Sequence, residues 1–218
     1  MRLWVTRTKP EAEATAKRLR ALGHTPVVQP VLEVKPLASV QIDLAGAVAI
    51  AFSSQNGVKA FAWRSTRREL PVFVTGEGTA RAALDAGFSQ VMVAGGGLEE
   101  LARLIIQKRP AGKIAWFGPQ EPAGDLAGLL APASIEARLT PLYATVPAEG
   151  PLPTGIDGLL VHSPKAATVI AERMPAEVAK GLVLFAISRA AANPLTGLEF
   201  ARVAVAKTPD EDALLAML

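Results

Sequence analysis

Ser54 and Ser163 each stand where an apolar run gives way to a turn of small polar residues and then to a helical stretch. One copy reads Ala47-Val48-Ala49-Ile50-Ala51-Phe52-Ser53-Ser54-Gln55-Asn56, the other Gly158-Leu159-Leu160-Val161-His162-Ser163-Pro164-Lys165. The chemistry such a turn offers is anion binding. The first N–H groups of a helix lack intrahelical acceptors and carry about half a positive charge, so several helix starts facing one cleft hold a polyanion without many cationic side chains.

Other chemistries lack their residues. The chain has no cysteine, which removes disulfides, thiolate nucleophiles and thiolate metal ligands. Its two histidines, His24 and His162, belong to no metal-ligand spacing, so no metal is expected. Neither a nucleophile elbow nor a phosphate-binding P-loop occurs. Gly76-Glu77-Gly78-Thr79-Ala80-Arg81 begins like a dinucleotide fingerprint but puts Arg81 where the third glycine belongs. Glu99-Glu100 and Asp210-Glu211-Asp212 fall in predicted first helical turns, where acids serve the helix dipole rather than a paired-carboxylate site. The charge of +3 comes from 23 basic and 20 acidic residues, scattered apart from Arg64, Arg67 and Arg68, which are expected to form an exposed helix end, and aromatics are only 5% of the chain. That excludes a nucleic-acid stripe and suits an acidic small molecule.

The elements that must position these turns follow a βαβ rhythm. Leu3-Trp4-Val5 reads as a strand, and Thr8 with Glu11 has capping-box spacing for a helix reaching Gly23, which leaves Thr6 and Arg7 in the intervening loop. Leu32 to Leu37 alternates as a ribbon, and Pro141 to Pro147 is a partner for it. Further strands are expected after Pro71, at Val91-Met92-Val93, at Lys113 to Phe117, and at Leu159–His162, Leu182–Ile187 and Val203–Ala206. Thr208-Pro209-Asp210-Glu211 predicts a terminal helix capped by Thr208 with proline at its first position. No apolar stretch suits a signal sequence or a membrane span, which predicts a cytoplasmic protein.

Ser54 to Gly76 spans 22 residues and Ser163 to Ser188 spans 25, so the middle and the last third carry similar blocks. The fold class expected is α/β: two similar parallel-sheet lobes joined by a two-stranded β-ribbon, the first domain discontinuous. Its boundaries are 1–33 with 148–218 for the first domain, 38–141 for the inserted one, and 34–37 with 142–147 for the ribbon. A cleft between the lobes is expected to hold the ligand.

In this order the residues resemble the uroporphyrinogen-III synthase family along nearly the whole chain. Val5-Thr6-Arg7 is similar to the family's opening V-T-R, Ala51 to Val58 to its F-T-S-x-N-x-V element, and Val74 to Ala80 to its V-G-x-x-T-A element. Leu142-Tyr143 falls where the family has V-Y, and His162-Ser163-Pro164 and Ala186-Ile187-Ser188 resemble the second-lobe counterparts. There the chain departs from the pattern: Ser188 replaces a glycine, and Ala191 stands where a threonine is usual.

The resemblance implies a cofactor-independent enzyme that cyclises hydroxymethylbilane, a linear tetrapyrrole with four acetates and four propionates, inverting its last ring to give uroporphyrinogen III. It implies Tyr143, the chain's only tyrosine, as proton donor to the departing hydroxyl. The expected carboxylate contacts are Thr6 and Arg7; Ser53, Ser54, Gln55 and Asn56; Gly76, Gly78 and Thr79; Ser163, Pro164 and Lys165; and Ser188 with Arg189. Plainer roles stand beside these: the hydroxyls as ordinary N-caps, Arg7 and Lys165 as solvated loop charges, Tyr143 as a half-buried linker aromatic, His162 as packing at a strand end. Expected partners are the small-molecule tetrapyrrole alone, with no nucleic acid and no membrane, the chain acting as a monomer with at most a transient contact with the enzyme that precedes it. The alternatives are a non-catalytic two-lobed binder of an anionic metabolite, a nucleotide-dependent transferase built on the Gly76 turn, and a divergent, low-activity family member.

Overall fold

The computed structural model describes residues 1–9 and 11–218. In chain order its strands are β1 (Arg2–Val5), β2 (Thr25–Val28), β3 (Leu32–Pro36), β4 (Ala47–Phe52), β5 (Val72–Val74), β6 (Val91–Val93), β7 (Lys113–Pro119), β8 (Ala137–Pro147), β9 (Gly158–Val161), β10 (Val183–Ala186) and β11 (Arg202–Val205). The helices are α1 (Glu11–Ala21), α2 (Gln55–Arg64), α3 (Glu77–Asp85), α4 (Leu98–Lys108), α5 (Leu126–Leu130), α6 (Pro164–Arg173), α7 (Ala176–Ala179), α8 (Arg189–Ala192) and α9 (Glu211–Leu215). Among the described residues no helix is long and apolar enough to cross a membrane. The chain divides into two compact units, one of Met1–Glu33 with Val146–Leu218, the other of Val34–Thr145.

In the first unit the sheet runs β11-β10-β9-β1-β2, all parallel. In the second it runs β3-β8-β7-β4-β5-β6, parallel from β8 to β6. Match β4, β5 and β6 with β9, β10 and β11, and β7 and β8 then correspond to β1 and β2, which enter the chain before the others rather than after. The two sheets therefore have one spatial order and permuted connections. Phe52 is paired with Val74 and Val161 with Ala186, so Ser54 corresponds to Ser163 and Gly76 to Ser188.

Strands buried on both faces read as unbroken apolar runs because helices cover both sides of a parallel sheet. β4 is such a run: Ile50 and Phe52 enter a core with Val58, Phe61, Phe88 and Phe117, while Ala49 and Ala51 face Leu101, Ile105 and Trp116 on the other side. In the first unit Trp4 packs on one face with Leu159 and Ile170, and Leu3 and Val5 on the other with Phe185 and Leu214. Each alternation follows the two-residue period of a strand.

β3 runs beside β8 at the edge of the larger sheet. Leu37 N–H donates to the Leu142 carbonyl and Ala148 N–H to the Val31 carbonyl, each at 2.9 Å, the constant sum of residue numbers that an antiparallel pair requires. β8 continues without a break from this pairing into its ladder with β7, where Tyr143 stands opposite Pro119.

Two expectations are corrected. The terminal helix is capped by Asp210, whose carboxylate accepts the Ala213 N–H at 2.8 Å, and not by Thr208, whose carbonyl instead accepts the Asp210 N–H in the turn before it. Arg68 is not simply part of an exposed helix end: its guanidinium stacks on Phe88 and Phe61 and donates to the carbonyls of Ala86, Ser65 and Ala62 at the ends of α2 and α3.

Candidate functional site

Parallel strands put all their carboxyl ends on one edge, and ligands of open α/β sheets bind at that edge where the strand order reverses. In the second unit the reversal lies between β4 and β7. Ser53 and Ser54 follow β4, and Gln55 and Asn56 open α2. Ser54 has extended backbone and caps the helix, its Oγ accepting the Gly57 N–H at 3.1 Å. The same Oγ lies 2.8 Å from the Tyr143 hydroxyl. Tyr143 is 4% exposed, and its carbonyl accepts the Gln120 N–H. It is therefore neither half-buried nor left in water; burial pushes its pKa above the usual tyrosine value, against the opposing hydrogen bond with Ser54.

Beside this pair, Gly76 caps α3 with no side chain, and Thr79 is buried in the first turn. A Cβ on Gly78 would stand 2.9 Å from Gln55 Nε2, so the Gln55 carboxamide lies across the start of α3. Thr75 Oγ1 donates to the Ser53 carbonyl at 3.3 Å. One sheet edge thus gathers Ser53, Ser54, Gln55, Asn56, Gly76, Gly78, Thr79 and Tyr143.

In the first unit the reversal lies between β1 and β9, which are followed by Thr6-Arg7 and by His162-Ser163. Ser163 Oγ accepts the Ala166 N–H at 3.2 Å, Pro164 occupies the first helical position, where its missing N–H does no harm, and Lys165 follows in the first turn of α6. Ser188 Oγ accepts the Ala191 N–H at 3.2 Å, and Arg189 opens α8. A serine cap here adds a side-chain acceptor that Gly76 lacks, while Ala191 is fully buried. Thr6 is also fully buried, and its hydroxyl donates to the Leu160 carbonyl at 2.7 Å. That hydroxyl thereby ties β1 to β9 inside the sheet.

Arg7 is not a solvated loop charge. Its Nη1 donates to Glu211 Oε2 at 3.0 Å, the oxygen that His162 Nε2 also meets at 3.0 Å, and Thr15 Oγ1 donates to Glu211 Oε1 at 2.5 Å. Burial works to raise the Glu211 carboxyl, but the hydrogen bonds from His162 and Thr15 and the attraction of His162 and Arg7 outweigh it and hold the pKa at about 2. In the sequence Glu211 reads only as an acid in a first helical turn. No local pattern ties it to residues 196 and 204 positions away.

A carboxyl lowered from 4.5 to about 2 on folding stabilises the native state fully above pH 4.5, and that stabilisation disappears as the pH falls through 2. Urea unfolding is expected to lose on the order of 2 kcal/mol from this group over that window. The Glu211→Gln variant should lack that part of the acid dependence; an acid limb identical to wild type would contradict the cluster's role.

Among the described residues no group of His, Cys, Asp and Glu is arranged to hold a metal ion. The family model for uroporphyrinogen-III synthase HemD matches residues 13–216 of the chain. The crystal structure of uroporphyrinogen-III synthetase from Helicobacter pylori 26695 superposes with a TM-score of 0.69 at 15% identity, covering 100% of this chain and 98% of that one. A mutant uroporphyrinogen III synthase from the extremely thermophilic bacterium Thermus thermophilus gives 0.56 at 17% identity, covering 100% and 97%. At these identities the two structures establish a shared fold. No curated protein is significantly similar in sequence.

Proposed function

The chain belongs to the uroporphyrinogen-III synthase family, enzymes of tetrapyrrole biosynthesis, and from that membership we propose that it cyclises hydroxymethylbilane to uroporphyrinogen III with inversion of the terminal ring and without a cofactor. The observation that carries the reading is the Tyr143 hydroxyl held 2.8 Å from Ser54 Oγ at the strand-order reversal of one sheet.

Departure of the hydroxyl breaks a C–O bond, pushed by the pyrrole nitrogen, whose N–H proton is released; the leaving oxygen gains a proton and departs as water. The resulting azafulvene is attacked by the substituted carbon of the terminal ring, giving a spiro intermediate that fragments and recloses with that ring inverted. Pyrrole supplies the electrons. What remains for the protein is to hold the acidic chain so that the inverting closure is the accessible one, and to ease the departure of the hydroxyl as water. Helix-start amides after Ser54, Gly76, Ser163 and Ser188 suit the substrate's carboxylates. A buried tyrosine with raised pKa stays protonated through the neutral range, which suits a hydrogen-bond donor to the leaving oxygen, and Ser54 fixes its direction.

The isomer assay tests this. Bilane generated in situ and mixed with the protein is expected to give the type III isomer on oxidation and chromatography. Type I product alone, the outcome of unassisted closure, would overturn the synthase reading.

A further inference from the structure

Arg7 and His162 leave adjacent strands at the strand-order reversal of the first unit, and both lean on one carboxylate oxygen that belongs to neither strand. Glu211 reaches them from the first residue of α9. A dipole role asks for no such contact: the next residue, Asp212, lies in the same turn with its side chain 86% exposed, whereas that of Glu211 is 20% exposed. Among the described residues His162 Nδ1 is buried and has no hydrogen-bond partner, and Glu211 is the polar anchor of the ring's other nitrogen. Arg7 keeps 29% of its side chain exposed, and of its five N–H donors one goes to Glu211.

We propose that Glu211 is a positioning residue for substrate binding, holding the Arg7 guanidinium at the carboxyl edge of this sheet with its remaining donors turned to a substrate carboxylate. The inference rests on the tetrapyrrole reading above. An arginine tied only through its backbone samples many rotamers, and a ligand must select one of them; Glu211 has already made the selection. The guanidinium fork donates to one carboxylate on one side while presenting further donors on another, a geometry that an ammonium lacks. Because the Glu211 charge is shared among Arg7, His162 and Thr15, the outer donors of Arg7 still present a positive face.

The test compares KM and kcat for bilane generated in situ, with thermal unfolding followed in parallel. In Glu211→Gln, KM is expected to rise about tenfold while kcat stays within about twofold, the signature of lost binding common to ground and transition states. Glu211→Asp keeps the charge and withdraws it by one methylene, so it gives the same rise in a folded protein. In an Arg7→Ala background Glu211→Gln adds nothing further to KM, since it acts through that side chain. Arg18→Ala, which removes the ion pair between α1 and Asp212 at the start of α9, leaves KM at the wild-type value. Unchanged KM in the folded Glu211 variants, or effects that add to that of Arg7→Ala, overturns the proposal. So does a lowered KM, which would mean that Glu211 competes with the substrate's carboxylate. Wild-type protein that yields no type III isomer overturns the tetrapyrrole reading instead, so that assay precedes any variant.

Discussion

Tyr143→Phe is expected to lower kcat about a hundredfold while KM stays within about threefold, because in the proposed cyclisation the hydroxyl serves departure of the leaving group and not the grip on carboxylates. The lower end of the range for proton-transfer catalysis is the right one here. Burial raises the pKa of Tyr143, so it is a poor acid for full proton transfer and a good one for a directed hydrogen bond. For the same reason the wild-type rate should show no loss from tyrosine ionisation up to about pH 9. The variant should fold, since Ser54 Oγ keeps the Gly57 N–H as partner and is only partly buried, which limits the stability loss to about 1 kcal/mol. Turnover equal to wild type in a folded Tyr143→Phe would remove the residue from the chemistry and leave positioning alone.

What can be read in the sequence is local. Ser54 and Ser163 are visible as caps because an apolar run, a small hydroxyl residue and a helical stretch are contiguous, and their hydroxyls accept amides three residues on. The equivalence of the two turns is visible for the same reason. Tyr143 can be named only through resemblance: it meets Ser54 across 89 residues, and nothing in the composition of either segment announces the other. Glu211 escapes notice because a first-turn acid has a sufficient local explanation, and the turn hides a contact made by tertiary folding. The cap at Asp210 is misplaced by sequence because Thr208 and Asp210 both precede plausible first turns, and only backbone geometry chooses between them. Helices α7 and α8, of four residues each, are about one turn long and carry no periodicity to detect.

The permuted order of the two sheets is also hidden. Strand spacing along a chain says which strands are consecutive, but the place of β1 and β2 beside β9 is set by which crossovers the chain makes. The consequence is geometric: each unit reverses its strand order at one place, and each reversal is flanked by a serine cap, Ser54 in one and Ser163 in the other. At one reversal the cap meets a phenol; at the other the neighbouring loop residues meet a carboxylate. The permutation preserves the edge and lets its two versions carry different side chains.

Gly57 decides whether that edge is built tightly enough to hold a phenol in one direction. It is the third residue of α2, gives its N–H to Ser54 Oγ, and is buried. A Cβ there would stand 2.9 Å from the Phe117 carbonyl oxygen of β7 and 3.4 Å from the Phe52 ring. Backbone in the middle of a sheet does not yield, so Gly57→Ala must lift the first turn of α2 and carry Ser54 away from Tyr143. Helix propensity alone predicts the opposite sign, a gain of about 1 kcal/mol for alanine over glycine inside a helix. The expected result is a net loss of about 2 kcal/mol in urea unfolding, as for other overpacked cores, together with a fall in kcat of about tenfold from the displaced hydroxyl pair. Gly78→Ala supplies the contrast: its Cβ meets only the tip of the flexible Gln55 side chain, which can swing aside, so propensity governs and stability holds or rises. If Gly57→Ala proves as stable as wild type, α2 does not sit hard against β7, and the 2.8 Å contact between Ser54 and Tyr143 has no rigid support beneath it.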